Sequence, residues 1–134
     1  MKAKTLLFLV AASALASVAS AQDGRVFEMR TYTTHPGKLD ALNARFRNHT
    51  LALFQKHGME NLWYAVPAEG QPGAGEKLVY VLAHKSRAAA AASWKAFVAD
   101  PEWVKVRAES EKDGPIVAKI ESVFLAATDY SPFK

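Results

Sequence analysis

Apolar and polar residues alternate along Val26–Thr33 (VFEMRTYT) with the two-residue rhythm of a β-strand. Phe27, Met29 and Thr31 share one face; Glu28, Arg30 and Tyr32 share the other. The first face is expected on a core. The second carries an acid, a guanidinium and a phenol in a row, which suits a solvated surface or a polar cavity. After Thr34-His35-Pro36-Gly37 the rhythm changes. Leu39, Leu42, Phe46 and Leu53, bridged by the His49/Thr50 step, recur at three- and four-residue intervals, which predicts an amphipathic helix. His57-Gly58 ends it. Met59–Val66 and Lys77–Ala83 read as two strands, and the turn-rich stretch 67–75 joins them as a hairpin.

Ser86 is placed to cap a second helix that runs through Ala88–Ala92, with Trp94, Phe97 and Val98 as its bulk. Asp100-Pro101-Glu102 then restarts the chain as a short helix reaching to about Lys112. The last strand is expected over Ile120–Ala127. The resulting order is βαββαβ, an α+β chain that folds as a ferredoxin-like plait: a four-stranded antiparallel sheet with its helices on one face. Such a sheet leaves its other face bare. Trp63 and Tyr64 point to opposite faces, as do Val79 and Tyr80, so neither face is wholly polar, and a homodimer through the uncovered face is the natural expectation.

The first 21 residues stand apart. Lys2 and Lys4, the apolar run Leu6–Val10 and Ala19-Ser20-Ala21 have the layout of a secretory signal peptide, which makes residues 22–134 one exported domain, periplasmic or extracellular. That reading changes the charge. The whole chain has 17 Lys+Arg against 13 Asp+Glu; without Lys2 and Lys4 the balance is 15 against 13, or +2. Basic residues so few and so interspersed with acids do not make a nucleic-acid surface. With no cysteine, the domain has no disulfide and no lipid-bearing thiol to anchor it to a membrane, so its stability rests on its core or on a partner subunit.

Several separated motifs resemble one family. E-M-R-T-Y, H-P-G-K-L, F-R-N-H-T-L-x-L-F-x-K-H-G-M, S-W-K-A-F-x-A-D-P-E-W-x-x-V-R-A-E-S and the closing S-V-F-L-x-x-T-D-Y-S-P are similar, in order and spacing, to NIPSNAP proteins across nearly all of residues 26–131. The resemblance implies a monomer of the dimeric α/β-barrel type, with two sheets closed against each other and ligand pockets often lying between sheet and helices. It implies no single reaction. The superfamily includes cofactor-free monooxygenases, haem-handling enzymes, lactone isomerases and plain binding modules, and fold does not choose among them.

Candidate chemistry is sparse. His49 lies beside the apolar stripe of the first helix and is a candidate base or ligand anchor. His49 and His57 are eight residues apart, about 12 Å along a helix, too far to share one metal ion, so no metal and no cofactor are expected. No G-x-S-x-G elbow occurs, and the glycines of residues 70–75 lack the Lys-Ser/Thr of a phosphate loop. Trp94 and Trp103 read as core residues or as walls of a pocket for a flat ligand. Glu28, Arg30 and Tyr32 read as a network at the dimer interface or as a cavity that binds an anion or carbonyl, with Arg30 as anchor and Tyr32 as donor. The leading expectation is an exported homodimer binding a small apolar or carbonyl-bearing molecule. A cofactor-independent monooxygenase or isomerase, with His49 or Tyr32 moving a proton, and a protein-interaction module without a ligand are the alternatives.

Overall fold

In the computed structural model, which describes residues 24–134, four strands form one antiparallel sheet. They are β1 (Val26–Thr34), β2 (Glu60–Ala65), β3 (Lys77–His84) and β4 (Val117–Leu125), in the spatial order β2-β3-β1-β4. The first crossover is helical: α1 (Leu39–Arg45), a π-helical turn (Phe46–Thr50) and α2 (Leu51–Lys56) follow one another without a break. The second crossover carries α3 (Arg87–Ala99) and α4 (Pro101–Ser110). This is the expected plait, with all the helices on one face. The signal-peptide reading of residues 1–21 lies outside the described residues. Among the described residues no helix is long and apolar enough to cross a membrane.

Local chemistry sets the boundaries. Ser86 Oγ accepts the Ala89 N–H at the start of α3. Asp100 Oδ1 accepts the Glu102 N–H, and Pro101 occupies the first position of α4, where its missing donor is harmless. α4 ends at Ser110, short of Lys112, and β4 starts at Val117, three residues before the expected Ile120. β4 gains this length by pairing with β1 from Thr34↔Val117 to Phe27↔Leu125.

Two findings bear on function. The first is the π turn. The Leu51 N–H bonds the Phe46 carbonyl five residues back, and Thr50 Oγ1 donates to the Arg45 carbonyl at 3.3 Å. The widened turn keeps Arg45, Phe46 and Thr50 buried while Arg47, Asn48 and His49 all face solvent. His49, expected beside the apolar stripe, thereby faces solvent.

The second finding is a correction. Glu28, Arg30 and Tyr32 do not face the uncovered side of the sheet; they lie beneath the helices. Tyr32 packs in the main core with Leu42, Phe46, Phe54, Leu78, Tyr80 and Leu82, and Glu28 is 1% exposed. Phe27, Met29 and Thr31 occupy the open face with Trp63, Val81, Val123 and Leu125. Period-two alternation tells which residues share a face, not which face the helices cover. The helices bring Trp94 and a cluster of rings, so the charged face can be enclosed without leaving its carboxylate unpaired. Thr31, Lys119 and Glu121 make one end of the open face polar; at the other end Trp63, Val123 and Leu125 are exposed. Phe27 there is shielded in a groove of about 510 Å³ that it lines together with Trp63, Leu125 and Phe133.

Candidate functional site

A polar row crosses the covered face of the sheet. Arg30 on β1 stands directly opposite Tyr80 on β3 and Ser122 on β4, and Tyr80 stands opposite Tyr64 on β2. Residues so paired share a face, so Tyr64, Tyr80, Arg30 and Ser122 make one line beneath the helices. Two residues along β1, Glu28 stands opposite Leu82 and Phe124.

Glu28 is the hub. Its Oε1 accepts from Arg30 Nη1 at 2.8 Å and Ser122 Oγ at 2.7 Å; its Oε2 accepts from Trp94 Nε1 at 2.7 Å and His84 Nε2 at 2.9 Å. Four donors from β1, β3, β4 and α3 thus converge on one carboxylate. Burial alone would push its pKa up, but the bonds from His84, Trp94 and Ser122 and the charge of Arg30 outweigh it and bring the carboxyl from 4.5 down to about 2. An ionised Glu28 can only accept, so His84 donates to it from Nε2 and turns Nδ1 to the far side of the ring. That Nδ1 is buried and has no partner among the described residues.

Arg30 is held from two sides. Its guanidinium lies 4.0 Å from the centre of the Trp94 ring and 5.6 Å from that of Tyr32, and one terminal nitrogen is fixed by Glu28. Among the described residues its buried Nε has no partner, and the buried hydroxyl of Tyr80 across the ladder, with Tyr32 beside it, meets no partner at hydrogen-bond geometry. Burial, with Tyr32 beside it, holds the Tyr80 phenol well above its ordinary pKa, so it remains a neutral donor. Tyr64 stacks on Tyr80 with ring centres 5.3 Å apart and donates to Asn61 Oδ1, whose amide in turn donates to the Leu51 carbonyl at 3.0 Å. The start of α2 is thereby tied to β2. What the arrangement can do is grip an oxygen acceptor: it presents a guanidinium and a phenol of fixed orientation beside aromatic faces. Among the described residues no group of three or more His, Asp or Glu side chains is placed to hold a metal ion.

The family follows from a comparison with known proteins. A family model for NIPSNAP matches residues 27–132. The chain belongs to the NIPSNAP family. Solved relatives share its fold. A NIPSNAP family protein of unknown function from Agrobacterium tumefaciens superposes with a TM-score of 0.70 at 20% identity, covering 84% of this chain and 96% of its own. An uncharacterised NIPSNAP-like domain protein from Burkholderia xenovorans gives 0.69 at 16%, with 82% and 90% covered. SnoaB, a cofactor-independent oxygenase from Streptomyces nogalater, gives 0.52 at 14%, with 81% and 98% covered. A search of curated proteins found no match.

Within this NIPSNAP domain the residues singled out from sequence fall into two groups. Arg30, Tyr32 and Trp94 come together, Trp94 through both its N–H and its ring. His49 and Trp103 lie elsewhere. His49 is exposed and borders a cleft of about 340 Å³ between α1 and α4 with Arg45, Asn48 and Glu109. Trp103 packs against Phe97, ring centres 4.6 Å apart, beneath the Arg45 guanidinium. His84, Tyr80 and Ser122 were not foreseen. One signal was available for two of them: Leu78, Tyr80, Leu82 and His84 recur every second residue, so once Tyr80 and Leu82 are core, His84 is beneath the helices with them.

Proposed function

We propose that this NIPSNAP domain binds a small molecule through a carbonyl or carboxyl oxygen held at Arg30 and Tyr80 beneath the helices, and that it works as an exported homodimer. The observation that carries this reading is the pair of orphaned donors. Arg30 Nε and the Tyr80 hydroxyl are buried, unpartnered and on directly opposed residues of β1 and β3. A buried donor without an acceptor costs about 1–3 kcal/mol. One oxygen accepting from both would remove most of that cost, which gives a ligand a reason to bind. Access is from the β4 side, where Ile120 and Ser122 are exposed on the covered face and the Arg30 side chain is 14% accessible. Dimerisation is supported by the exposed Trp63, Val123 and Leu125 of the open face, and export by the leader-like residues 1–21.

A second reading, proton-transfer catalysis of the monooxygenase or isomerase kind, is favoured by His84. An imidazole oriented by a carboxylate, with its other nitrogen free, is the arrangement of a general base. Native mass spectrometry of the full chain, purified after export from its own host, tests the binding reading. A dimer carrying a co-purified small molecule is expected, and R30M is expected to yield the same dimer without it. A ligand-free monomer would overturn the proposal. Exchange of solvent deuterium into the recovered molecule, lost in H84Q, would move the assignment from binding to catalysis.

A further inference from the structure

Helices leave the covered face of β4 partly bare, and a second guanidinium reaches over it. Arg87 lies with its Cζ 3.5 Å from the centre of the Phe124 ring. Phe124 and Ser122 are consecutive same-face positions on β4, about 7 Å apart along the strand. Ser122 is opposite Arg30, and Phe124 is opposite Glu28. Two arginines, each with its guanidinium over an aromatic ring, therefore lie along one short strip of sheet in which Ser122 is exposed.

The charges along that strip do not cancel. Glu28 already receives four donors and neutralises Arg30. Among the described residues Arg87 has no such counterpart: it is the first residue of α3, and no acidic residue stands in that first turn. A cation at the N-terminus of a helix opposes the helix dipole, and acids are the favoured residues there. Arg87 is thus a locally unfavourable residue whose side chain is laid over the ring next to the proposed site. Guanidinium pairs of this kind suit carboxylates, which they can meet through two parallel hydrogen bonds.

We infer that the strip between Arg30 and Arg87 selects molecules bearing a carboxylate in addition to the oxygen held at Arg30, so that the ligand is a small dicarboxylate or oxo acid. The inference rests on the binding reading above: Arg30 and Tyr80 hold one oxygen, and Arg87, seated over the Phe124 ring one same-face position along β4, holds the carboxylate.

Titration calorimetry of the full mature chain, backed by the fluorescence of Trp94, separates the two ideas. The probes are succinate, 2-oxoglutarate, the neutral dimethyl succinate and inorganic phosphate. Succinate or 2-oxoglutarate is expected to bind at least tenfold more tightly than the diester, and added salt is expected to shrink that gap. R87Q, a substitution at an exposed position, is expected to abolish the preference while diester binding persists; R30M is expected to lose both. Equal binding of acid and diester by the wild type, or an unchanged ratio in R87Q, would overturn the inference and leave the oxygen grip at Arg30 standing. Phosphate binding as well as succinate would show an anion strip without carboxylate selectivity and would overturn the stated ligand class. No binding of any probe would overturn this inference together with the binding reading for this class of molecule.

Discussion

Replacing Glu28 by Gln tests the hub at its centre. The side chain keeps its shape but loses its charge, and the new amide NH₂ must face donors where an oxygen faced them. The magnitude follows from the titration of the native carboxyl. Holding an acid at about 2 when its ordinary value is 4.5 is worth about 3 kcal/mol, at about 1.4 kcal/mol per decade. At 1% exposure, solvent screening removes little of this. The sign is that of a depressed acid: the stabilisation is complete above about pH 4.5 and is lost as pH falls toward 2. E28Q should therefore be less stable than wild type by about 3 kcal/mol at pH 7. The gap should narrow to about 1 kcal/mol at pH 3, because the carboxyl of the unfolded chain is by then protonated while the folded one is still mostly ionised. Urea unfolding followed by tryptophan fluorescence at pH 7, 5, 4 and 3 measures both quantities. A variant within 0.5 kcal/mol of wild type at pH 7, or a gap that does not close on acidification, would refute the claim that four donors hold an ionised Glu28.

Three further outcomes are expected. Y80F removes a buried hydroxyl that has no partner, so the variant should be as stable as wild type or more stable by up to about 1 kcal/mol, while the affinity for the bound molecule falls about tenfold; denaturation and calorimetry on one sample check both. The double variant W63E/V123E puts two charges on the open face of the sheet, where both residues are exposed in the monomer. Analytical ultracentrifugation should then find a folded monomer, and a persisting dimer would exclude that face as the interface. S86A removes the cap that accepts the Ala89 N–H and should cost about 1 kcal/mol in urea unfolding without changing ligand affinity.

The architecture was legible because each of its signals is local. The Ser86 cap, the Asp100-Pro101 restart and the change from a two-residue to a 3.6-residue rhythm need no knowledge of distant residues. What the sequence left open depends on pairing. Alternation put Glu28, Arg30 and Tyr32 on one face, but both faces of β2 and β3 carry rings, Tyr64 and Tyr80 on one and Trp63 on the other. Nothing local says which set the helices will cover. The outward turn of His49 reflects a similar gap: one extra residue in the turn Phe46–Thr50 rotates the helix surface, and a 3.6-residue template cannot register a π turn. The partners of Glu28 are 56, 66 and 94 residues away in sequence at His84, Trp94 and Ser122, so they become neighbours only through strand order and helix docking.

The energetics of the hub are themselves an argument for function. Enclosed ion pairs are weak contributors to stability, since well-packed apolar residues of similar volume often serve as well or better. A fold in need of stability alone had an apolar alternative at hand, because the rest of this face is built from Leu42, Phe46, Phe54, Tyr80 and Leu82. What Glu28 supplies instead is orientation. It fixes one end of Arg30, pins the indole N–H of Trp94 against which Arg30 lies, and orients the ring of His84. The three residues whose direction it determines are the two that would grip and wall a ligand and one whose Nδ1 has no partner among the described residues. The same contacts leave Arg30 Nε and Tyr80 unpaired, a disadvantage for folding that binding would relieve. If E28Q retained full ligand affinity in a folded dimer, the hub would be structural after all, and the orphaned donors would need another explanation.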